Sequence, residues 1–319
     1  MLKKIFTLIT AMIISASLVA CNGNEEKENN LVTEDNPKIK IVTSINPLRD
    51  FAEAVGGDKV EVSLLVPEGV EAHDYEPKAR DIEQLAGADI FVYNGVGMES
   101  WLDQVLQTVA NKKDLIKVDS SVGVNLLNSE GEEHHHGEED DHDHDDNHNH
   151  GDFDPHIWLS LIEAKQQSLN IKEALIGVDE KNKDFYEENY KAFITQLDDL
   201  YQKYKEKFHT VNNKYFITGH EAFGYLCRDF NLTQRAITGL RAEGEPTPKA
   251  LKELIELAEE NDIKVVFTEE QAAPEVSETI AREVGAKVES LYSIEVREEG
   301  MPYLEMMELN LERIYNALK

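Results

Sequence analysis

At residues 183–208 the chain reads KDFYEENYKAFITQLDDLYQKYKEKF, in which apolar side chains recur every three or four positions without a glycine or proline. This spacing is the period of an α-helix with one apolar face. At about 1.5 Å per residue the helix would be roughly 37 Å long. The sequence therefore predicts one long, rigid helix over residues 183–209, joining whatever folds on either side of it.

On both sides of this helix, short apolar runs alternate with helical patterns. The strand-like runs before it are 38–44, 59–66, 89–94 and 115–119, with helix candidates at 48–54 and 101–109. Those after it are 214–218, 232–237, 264–268 and 287–291, followed by a helix from about 303 to 318. Strands that alternate with helices predict parallel sheets. We therefore expect an α/β fold of two lobes, 38–182 and 210–319, each with a mostly parallel four-stranded sheet flanked by helices.

The N-terminal segment has the pattern of a bacterial lipoprotein. Residues 1–4 carry two lysines, and residues 5–20 are mainly apolar and end in Leu18-Val19-Ala20 before Cys21. Such a stretch is too short for a transmembrane helix of about 20 residues but is typical of a secretory signal. We expect a signal peptide over 1–20, acyl chains on Cys21 that anchor the protein to a membrane, and a polar tether over 21–37. An ordinary signal peptide with an incidental cysteine is the alternative.

Charge and cysteine content narrow the class of partner. With 32 basic and 63 acidic residues the formal net charge is −31, which argues against nucleic acid and suits cations. Cys227 is the only cysteine besides Cys21, so a disulfide framework or a cysteine-rich metal site within one chain is excluded. Its apolar neighbours predict that Cys227 is a buried small hydrophobe.

An acidic, histidine-rich run occupies residues 132–152. It lacks lysine and arginine and has almost no apolar side chains, so it cannot bury enough surface to fold alone. Its imidazoles and carboxylates nevertheless suit a divalent transition metal. The run is therefore either an accessory loop that gathers metal weakly or a solvated insertion without that role. Its candidate accessory ligands are His134, His135, His136, His142, His144, His148 and His150.

Four histidines lie outside that run, and three of them fall in loops between predicted elements. In open α/β sheets, ligands bind in the crevice at the carboxyl ends of the strands. His73, His156 and His220 are therefore candidate ligands contributed by both lobes, although each alone could be an ordinary structural histidine. His209 falls at the end of the long helix, where we expect it to be solvated.

Five motifs stand out in the sequence, and three of them contain these histidines. They are His73-Asp74-Tyr75-Glu76-Pro77, Tyr93-Asn94-Gly95-Val96-Gly97-Met98-Glu99-Ser100-Trp101, Asp154-Pro155-His156-Ile157-Trp158-Leu159, His220-Glu221-Ala222-Phe223-Gly224-Tyr225-Leu226 and Glu245-Pro246-Thr247-Pro248. With them the chain resembles, from about residue 38 onward, the substrate-binding lipoproteins of metal-importing ABC transporters in the zinc and manganese cluster. The resemblance implies that His73, His156 and His220 bind the metal directly. It also implies an extracytoplasmic, membrane-anchored monomer that delivers its metal to an ABC permease with its ATPase.

The fourth ligand is the least constrained. Family members often carry an aspartate in the loop after the last strand, where this chain has Leu291-Tyr292-Ser293-Ile294-Glu295. Ile294 occupies the aspartate position and cannot bind metal, whereas zinc-type relatives have a glutamate one residue later, where Glu295 stands. The resemblance thus implies Glu295 as the ligand, with Glu269, Glu270 or a water as alternatives. Glu295 could also be one of several surface acids.

The types of the expected ligands indicate which metal is bound and whether the site is catalytic. Three imidazoles and one carboxylate can form a tetrahedral Zn²⁺ site, whereas Mn²⁺ prefers more oxygen ligands and higher coordination. We therefore predict a solute-binding protein that captures Zn²⁺ in the cleft between the lobes, with a manganese-binding protein of the same class as the alternative. A zinc-dependent hydrolase is less favoured, because the open position of catalytic zinc would be filled and no His-Glu-x-x-His motif occurs. We therefore expect no enzyme activity, and no sequence feature calls for an adhesin.

Overall fold

The computed structural model describes residues 37–70, 72–128, 153–242, 244–269, 274–297 and 300–319. The predicted signal peptide, Cys21, the tether up to residue 36, the seven histidines of the 132–152 run and Glu270 lie outside these residues. The expectations for those segments stay predictions.

The first half of the described chain contains a four-stranded parallel sheet. Its strands are β1 (Ile39–Thr43), β2 (Val60–Leu64), β3 (Ile90–Tyr93) and β4 (Ile116–Asp119). Their spatial order is β2-β1-β3-β4, and each neighbouring pair is parallel. The two central strands are nearly continuous runs of apolar residues, as expected for strands covered by helices on both faces.

The second half repeats this topology. Its strands are β5 (Tyr215–His220), β6 (Thr233–Thr238), β7 (Val265–Glu269) and β8 (Lys287–Leu291). Their order is β6-β5-β7-β8, again with parallel neighbours. The predicted α/β fold with two parallel four-stranded sheets is confirmed. The predicted strand boundaries agree with the observed ones to within two residues.

Helices connect the strands. Over the described residues they are α1 (Asn46–Gly56), α2 (Ala79–Gly87), α3 (Leu102–Thr108), α4 (Glu163–Val178), α5 (Lys183–His209), α6 (Gly224–Phe230), α7 (Pro248–Glu260), α8 (Glu275–Val284) and α9 (Tyr303–Leu318). None of these helices has both the length and the apolar character needed to cross a bilayer.

The long helix α5 covers the predicted span and contains 27 residues. It packs against α1 and α4 of the first half and against α6 and α9 of the second. Its buried side chains lie along one face: Tyr186, Phe193, Leu197, Leu200, Tyr204 and Phe208. The same helix thus contributes to a hydrophobic core that continues from the first sheet to α9.

The strand order places a crevice at one edge of each sheet. In the first sheet, β2 lies on one side of β1 and β3 on the other, so the strand order reverses between β1 and β3. In the second sheet the order reverses in the same way between β5 and β7. Ligands of open α/β sheets bind at such switch points. The candidate ligands lie at or after the carboxyl ends of strands in both sheets: His220 ends β5, and His73, His156 and Glu295 follow β2, β4 and β8.

Candidate metal centre

Three of the four predicted ligands meet in one buried cluster. His73 lies between β2 and α2, His156 between β4 and α4, and Glu295 between β8 and α9. Each offers a ligand atom, and these atoms lie within 4.8 Å of one another. His220, the last residue of β5, is adjacent, with its ring centroid 5.3 Å from that of His156. All four residues are at most 7% exposed, so the cluster is largely shielded from bulk water.

The two closest imidazoles are those of His73 and His156, whose Nε2 atoms are 3.3 Å apart. A tetrahedral Zn²⁺ holds nitrogen ligands at about 2.0–2.1 Å, which places two of them about 3.3–3.4 Å from each other. The two nitrogens therefore have the separation that a shared zinc ion requires.

Asp154 orients His156. The residue before His156 is a proline, and a single 3₁₀ turn follows it at Ile157–Leu159. The carboxylate Oδ1 of Asp154 accepts a hydrogen bond from the backbone N–H of His156 at 2.9 Å and lies 2.8 Å from its Nδ1. An Nδ1–H that donates to this carboxylate leaves the Nε2 lone pair available for a metal, which is the arrangement of carboxylate–histidine–zinc sites.

Glu269 occupies the corresponding position beside His220. It ends β7, next to the end of β5, and its two oxygens accept hydrogen bonds from the backbone N–H groups of Gly219 at 3.1 Å and His220 at 3.2 Å. Its Oε2 lies 3.6 Å from His220 Nδ1. Glu269 therefore faces the side of the imidazole opposite Nε2. Glu295, and not Glu269, is the carboxylate that the structure brings to His73 and His156.

The loop that carries Glu295 buries the side chain of the preceding residue, Ile294. Ile294 has φ of 65° and is fully buried in the hydrophobic core. Few non-glycine residues adopt this left-handed conformation, and a β-branched one is a clear outlier. With Ile294 turned into the core, the next side chain in the sequence is the one that joins the histidines.

Burial changes the ionisation of the cluster. Burial lowers the pKa of His156 well below its ordinary value, and the neighbouring His220 adds to this. Burial also raises the pKa of Asp154 to about 7, while its hydrogen bond from the His156 backbone and the nearby His220 act in the opposite direction. His156 is therefore neutral near pH 7, and the neutral imidazole is the form that binds metals.

Gly224 allows α6 to approach the His156 loop. A Cβ at this position would lie 2.6 Å from Oδ2 of Asp154. The next residue, Tyr225, donates its hydroxyl to the backbone oxygen of Asp154 at 2.8 Å. The second half of the chain thus supports the carboxylate that orients His156.

Asp154, Glu269 and Gly224 lie beside the candidate ligands, and the ligand prediction gives none of them a supporting role. Asp154 and Gly224 both occur in quoted motifs, and a carboxylate two residues before a candidate ligand could have indicated an orienting role for Asp154. Glu269 was considered only as a ligand, because nothing in the sequence shows that the end of β7 lies beside His220.

Two further expectations can be compared with the structure. His209 is exposed at the end of α5, as predicted. Cys227 is buried and is the free cysteine of the described residues, which also agrees with the prediction.

Comparisons with known proteins assign the chain to a family. A family model described as zinc-uptake complex component A, periplasmic, matches residues 41–317. A putative metal-binding protein of Treponema pallidum is 36% identical over 282 residues, covering 88% of this chain and 87% of the relative. The high-affinity zinc uptake system protein ZnuA of Bacillus subtilis is 36% identical over 306 residues, covering 94% of each.

One similar protein has a solved structure with zinc bound. A Zn(II)-bound variant of AdcAII from Streptococcus pneumoniae matches with a TM-score of 0.78 and 31% identity, over 88% of this chain and 99% of that chain. The family model spans nearly all of the described residues, including the four candidate ligands. The chain therefore belongs to the family of periplasmic zinc-uptake complex component A proteins.

Proposed function

We propose that this protein captures one Zn²⁺ outside the cytoplasm through His73, His156, His220 and Glu295 and delivers it to an ABC permease with its ATPase. The observation that carries the proposal is the 3.3 Å separation of the His73 and His156 Nε2 atoms inside a buried cluster. Two uncharged imidazole nitrogens with lone pairs facing each other are unfavourable unless a proton or a cation lies between them. The similarity to the high-affinity zinc uptake protein ZnuA supports Zn²⁺ as the metal that is bound.

Zinc suits this set of ligands better than manganese. Three imidazoles and one carboxylate match tetrahedral Zn²⁺, and the carboxylates of Asp154 and Glu269 each face one of these imidazoles. Mn²⁺ would need more oxygen ligands than the cluster supplies. We therefore expect Zn²⁺ to bind more tightly than Mn²⁺ in direct competition.

A catalytic role is not part of this proposal. A hydrolytic zinc site keeps one coordination position open for water, whereas four protein side chains converge here. If Glu295 were instead a general base, the purified protein with zinc bound would hydrolyse generic ester or phosphoester substrates. The Glu295→Gln variant would then retain zinc and lose that hydrolysis.

The proposal also includes Cys21 and the histidine-rich run, which lie outside the described residues. Cys21 would carry the lipid that anchors the protein as a monomer to the membrane, and the seven histidines of the 132–152 run would bind additional zinc weakly. Mass spectrometry of the protein extracted from membranes would detect the acylated Cys21, and unmodified Cys21 in that material would contradict the anchor.

The ligand set is tested by comparing His156→Ala with His209→Ala. His209 is an exposed histidine at the end of α5, so its replacement controls for the loss of an imidazole as such. We expect His156→Ala to weaken zinc binding by more than about 100-fold, because even the loss of an orienting partner costs roughly 10–100-fold. His209→Ala should bind like the unchanged protein. Competition with a chromophoric zinc chelator measures both, and equal affinities would exclude the proposed site.

A further inference from the structure

The loop between β8 and α9, which presents Glu295, is attached to the first half of the chain at two points. On its N-terminal side, the backbone oxygen of Ser293 accepts a hydrogen bond from Trp158 Nε1 at 2.7 Å. On its C-terminal side, Arg297 donates to the carboxylates of Asp50 and Glu53, both on α1. Glu295 thus lies between two attachment points.

Asp50 is the centre of the second attachment. It is buried, with a side chain that is 6% exposed, and lies in the middle of α1. One of its oxygens accepts from Arg297, and the other accepts from the backbone N–H of Tyr303 at 2.6 Å. Tyr303 is the first residue of α9, so one carboxylate holds both the end of the loop and the start of the next helix.

The first attachment is connected to the same tyrosine. The hydroxyl of Tyr303 donates to the backbone oxygen of Trp158 at 2.6 Å, and its ring contacts Phe51 on α1 edge-on, with centroids 4.8 Å apart. Asp50, Tyr303 and Trp158 therefore form a continuous set of contacts around the loop. Trp158 itself is two residues from His156.

The loop needs such external contacts because its own backbone is unfavourable. The left-handed conformation of Ile294 persists only where the surrounding structure fixes it. Without fixed ends, the loop could relax at Ile294 and turn the neighbouring Glu295 away from the histidines. The described contacts at Ser293 and Arg297 prevent that rotation.

We propose that Asp50 is a positioning residue for the metal site, which through Arg297 and Tyr303 holds the Glu295 loop in the conformation that completes the zinc site. The contacts described for its carboxylate are with Arg297 and the backbone of Tyr303. The proposal rests on the proposed function, because it takes Glu295 to be a zinc ligand. In this way helix α1, in the first half of the chain, influences a ligand that follows β8, the last strand in the second half.

A double-mutant cycle tests this role. We expect Asp50→Asn to weaken zinc binding roughly 10–100-fold, the usual effect of losing a residue that supports a ligand. In a Glu295→Gln background, the same Asp50→Asn change should produce little further loss, because the side chain it positions has already been removed as a ligand. Zinc affinities of the four proteins come from chelator competition.

A matched control is available in Glu163. Its buried carboxylate on α4 also pairs with an arginine of the second half, Arg228 on α6, at 2.7 Å, and its other described partner is the backbone N–H of Asn125. Glu163→Gln should keep the zinc affinity within about twofold, since distant sites act independently. Co²⁺ substitution adds a spectroscopic readout. Asp50→Asn should lose the strong visible absorption of tetrahedral Co²⁺, while Glu163→Gln should retain it.

Arg297→Lys provides a second variant in case Asp50→Asn folds poorly. The lysine keeps the positive charge, but its ammonium sits on a shorter, more flexible side chain and replaces the Nη2 that contacts both Asp50 and Glu53. We expect an intermediate loss of zinc affinity that again disappears in the Glu295→Gln background. Equal losses with and without Glu295, or an unchanged affinity in both variants, would overturn the positioning role. Failure of the proposed function is distinguishable, because the unchanged protein would then lack tight zinc or Glu295→Gln alone would have no effect.

Discussion

At the scale of single residues, two of the candidate imidazole ligands each lie beside a carboxylate from the same half of the chain: Asp154 beside His156 and Glu269 beside His220. Imidazoles outside the histidine-rich run are few, and those in loops after strands converge because parallel strands end at one edge of a sheet. Glu269 is 49 positions from His220, and only the pairing of β5 with β7 brings them together. The family resemblance already implies Glu295, since Ile294 has no ligand atom, but no residue pattern specifies the left-handed backbone of Ile294 that precedes it.

Gly224 provides a residue-scale prediction. In Gly224→Ala the added Cβ would strike Oδ2 of Asp154, whose other oxygen holds His156. We expect roughly tenfold weaker zinc binding, at the low end for an orienting partner. The thermal stability of the metal-free protein should fall as well, because the buried Asp154 carboxylate must move to relieve the overlap. Isothermal titration and thermal unfolding measure the two effects separately.

Gly177→Ala is the control for that substitution. Gly177 also lies in a helix, α4, and a Cβ there has no atom within 4 Å. Its alanine variant should bind zinc normally and be slightly more stable. If both alanine variants bound zinc equally well, the contact with Asp154 would not matter for the site.

At the scale of elements, the strands were predictable because each is a short apolar run bounded by turn residues. The order of the strands was not, since local sequence does not record which run pairs with which. Loops with unusual backbone conformations were not predictable in detail either. The loop after β3 has positive φ at Gly95, Val96 and Gly97, and it is held by the buried side chain of Glu99.

Glu99 is linked to the candidate metal centre through Asn94. Its carboxylate accepts hydrogen bonds from the backbone N–H groups of Asn94 at 2.7 Å and Gly95 at 3.0 Å. The Asn94 side chain in turn donates to the backbone oxygen of Pro155 at 2.8 Å, next to His156. Burial raises the pKa of Glu99 above its ordinary value, although these hydrogen bonds act against the shift.

This shift predicts a pH dependence of stability. A carboxyl with a raised pKa in the folded protein stays protonated there while its unfolded counterpart ionises, so its contribution to stability falls as pH rises above the ordinary glutamate pKa of about 4.5. Glu99→Gln removes that ionisation. We expect the free energy of unfolding of the metal-free variant to rise relative to the unchanged protein above that pH, by at most about 1.4 kcal/mol per pH unit. Urea unfolding from pH 4 to 8 measures the difference, and a difference independent of pH would show that Glu99 is not perturbed.

At the scale of the whole molecule, both sheets contribute candidate metal ligands, from loops or strand ends at the carboxyl ends of their strands. The long helix α5 contributes to the core of both halves, and the loop after β8 is bonded to α1 and Trp158. With such contacts already present around the four candidate ligands, zinc should meet a largely preformed site. Preformed ligands give tighter binding because less conformational entropy is lost when the metal binds.

The histidine-rich run at residues 132–152 contrasts with this preformed site. The described chain ends at Asn128 and resumes at Phe153, and these two residues are paired in an isolated antiparallel bridge, so a short linker can replace residues 132–150. With almost no apolar side chains in the run, its imidazoles would have to be ordered by the metal itself, at an entropic cost. The deletion should therefore leave one tight zinc and an unchanged stabilisation by zinc while removing the weaker sites. Calorimetric titration of the deletion variant counts both classes of site. Loss of the tight zinc in a protein that still unfolds cooperatively would mean that the run supplies primary ligands in place of the four assigned here.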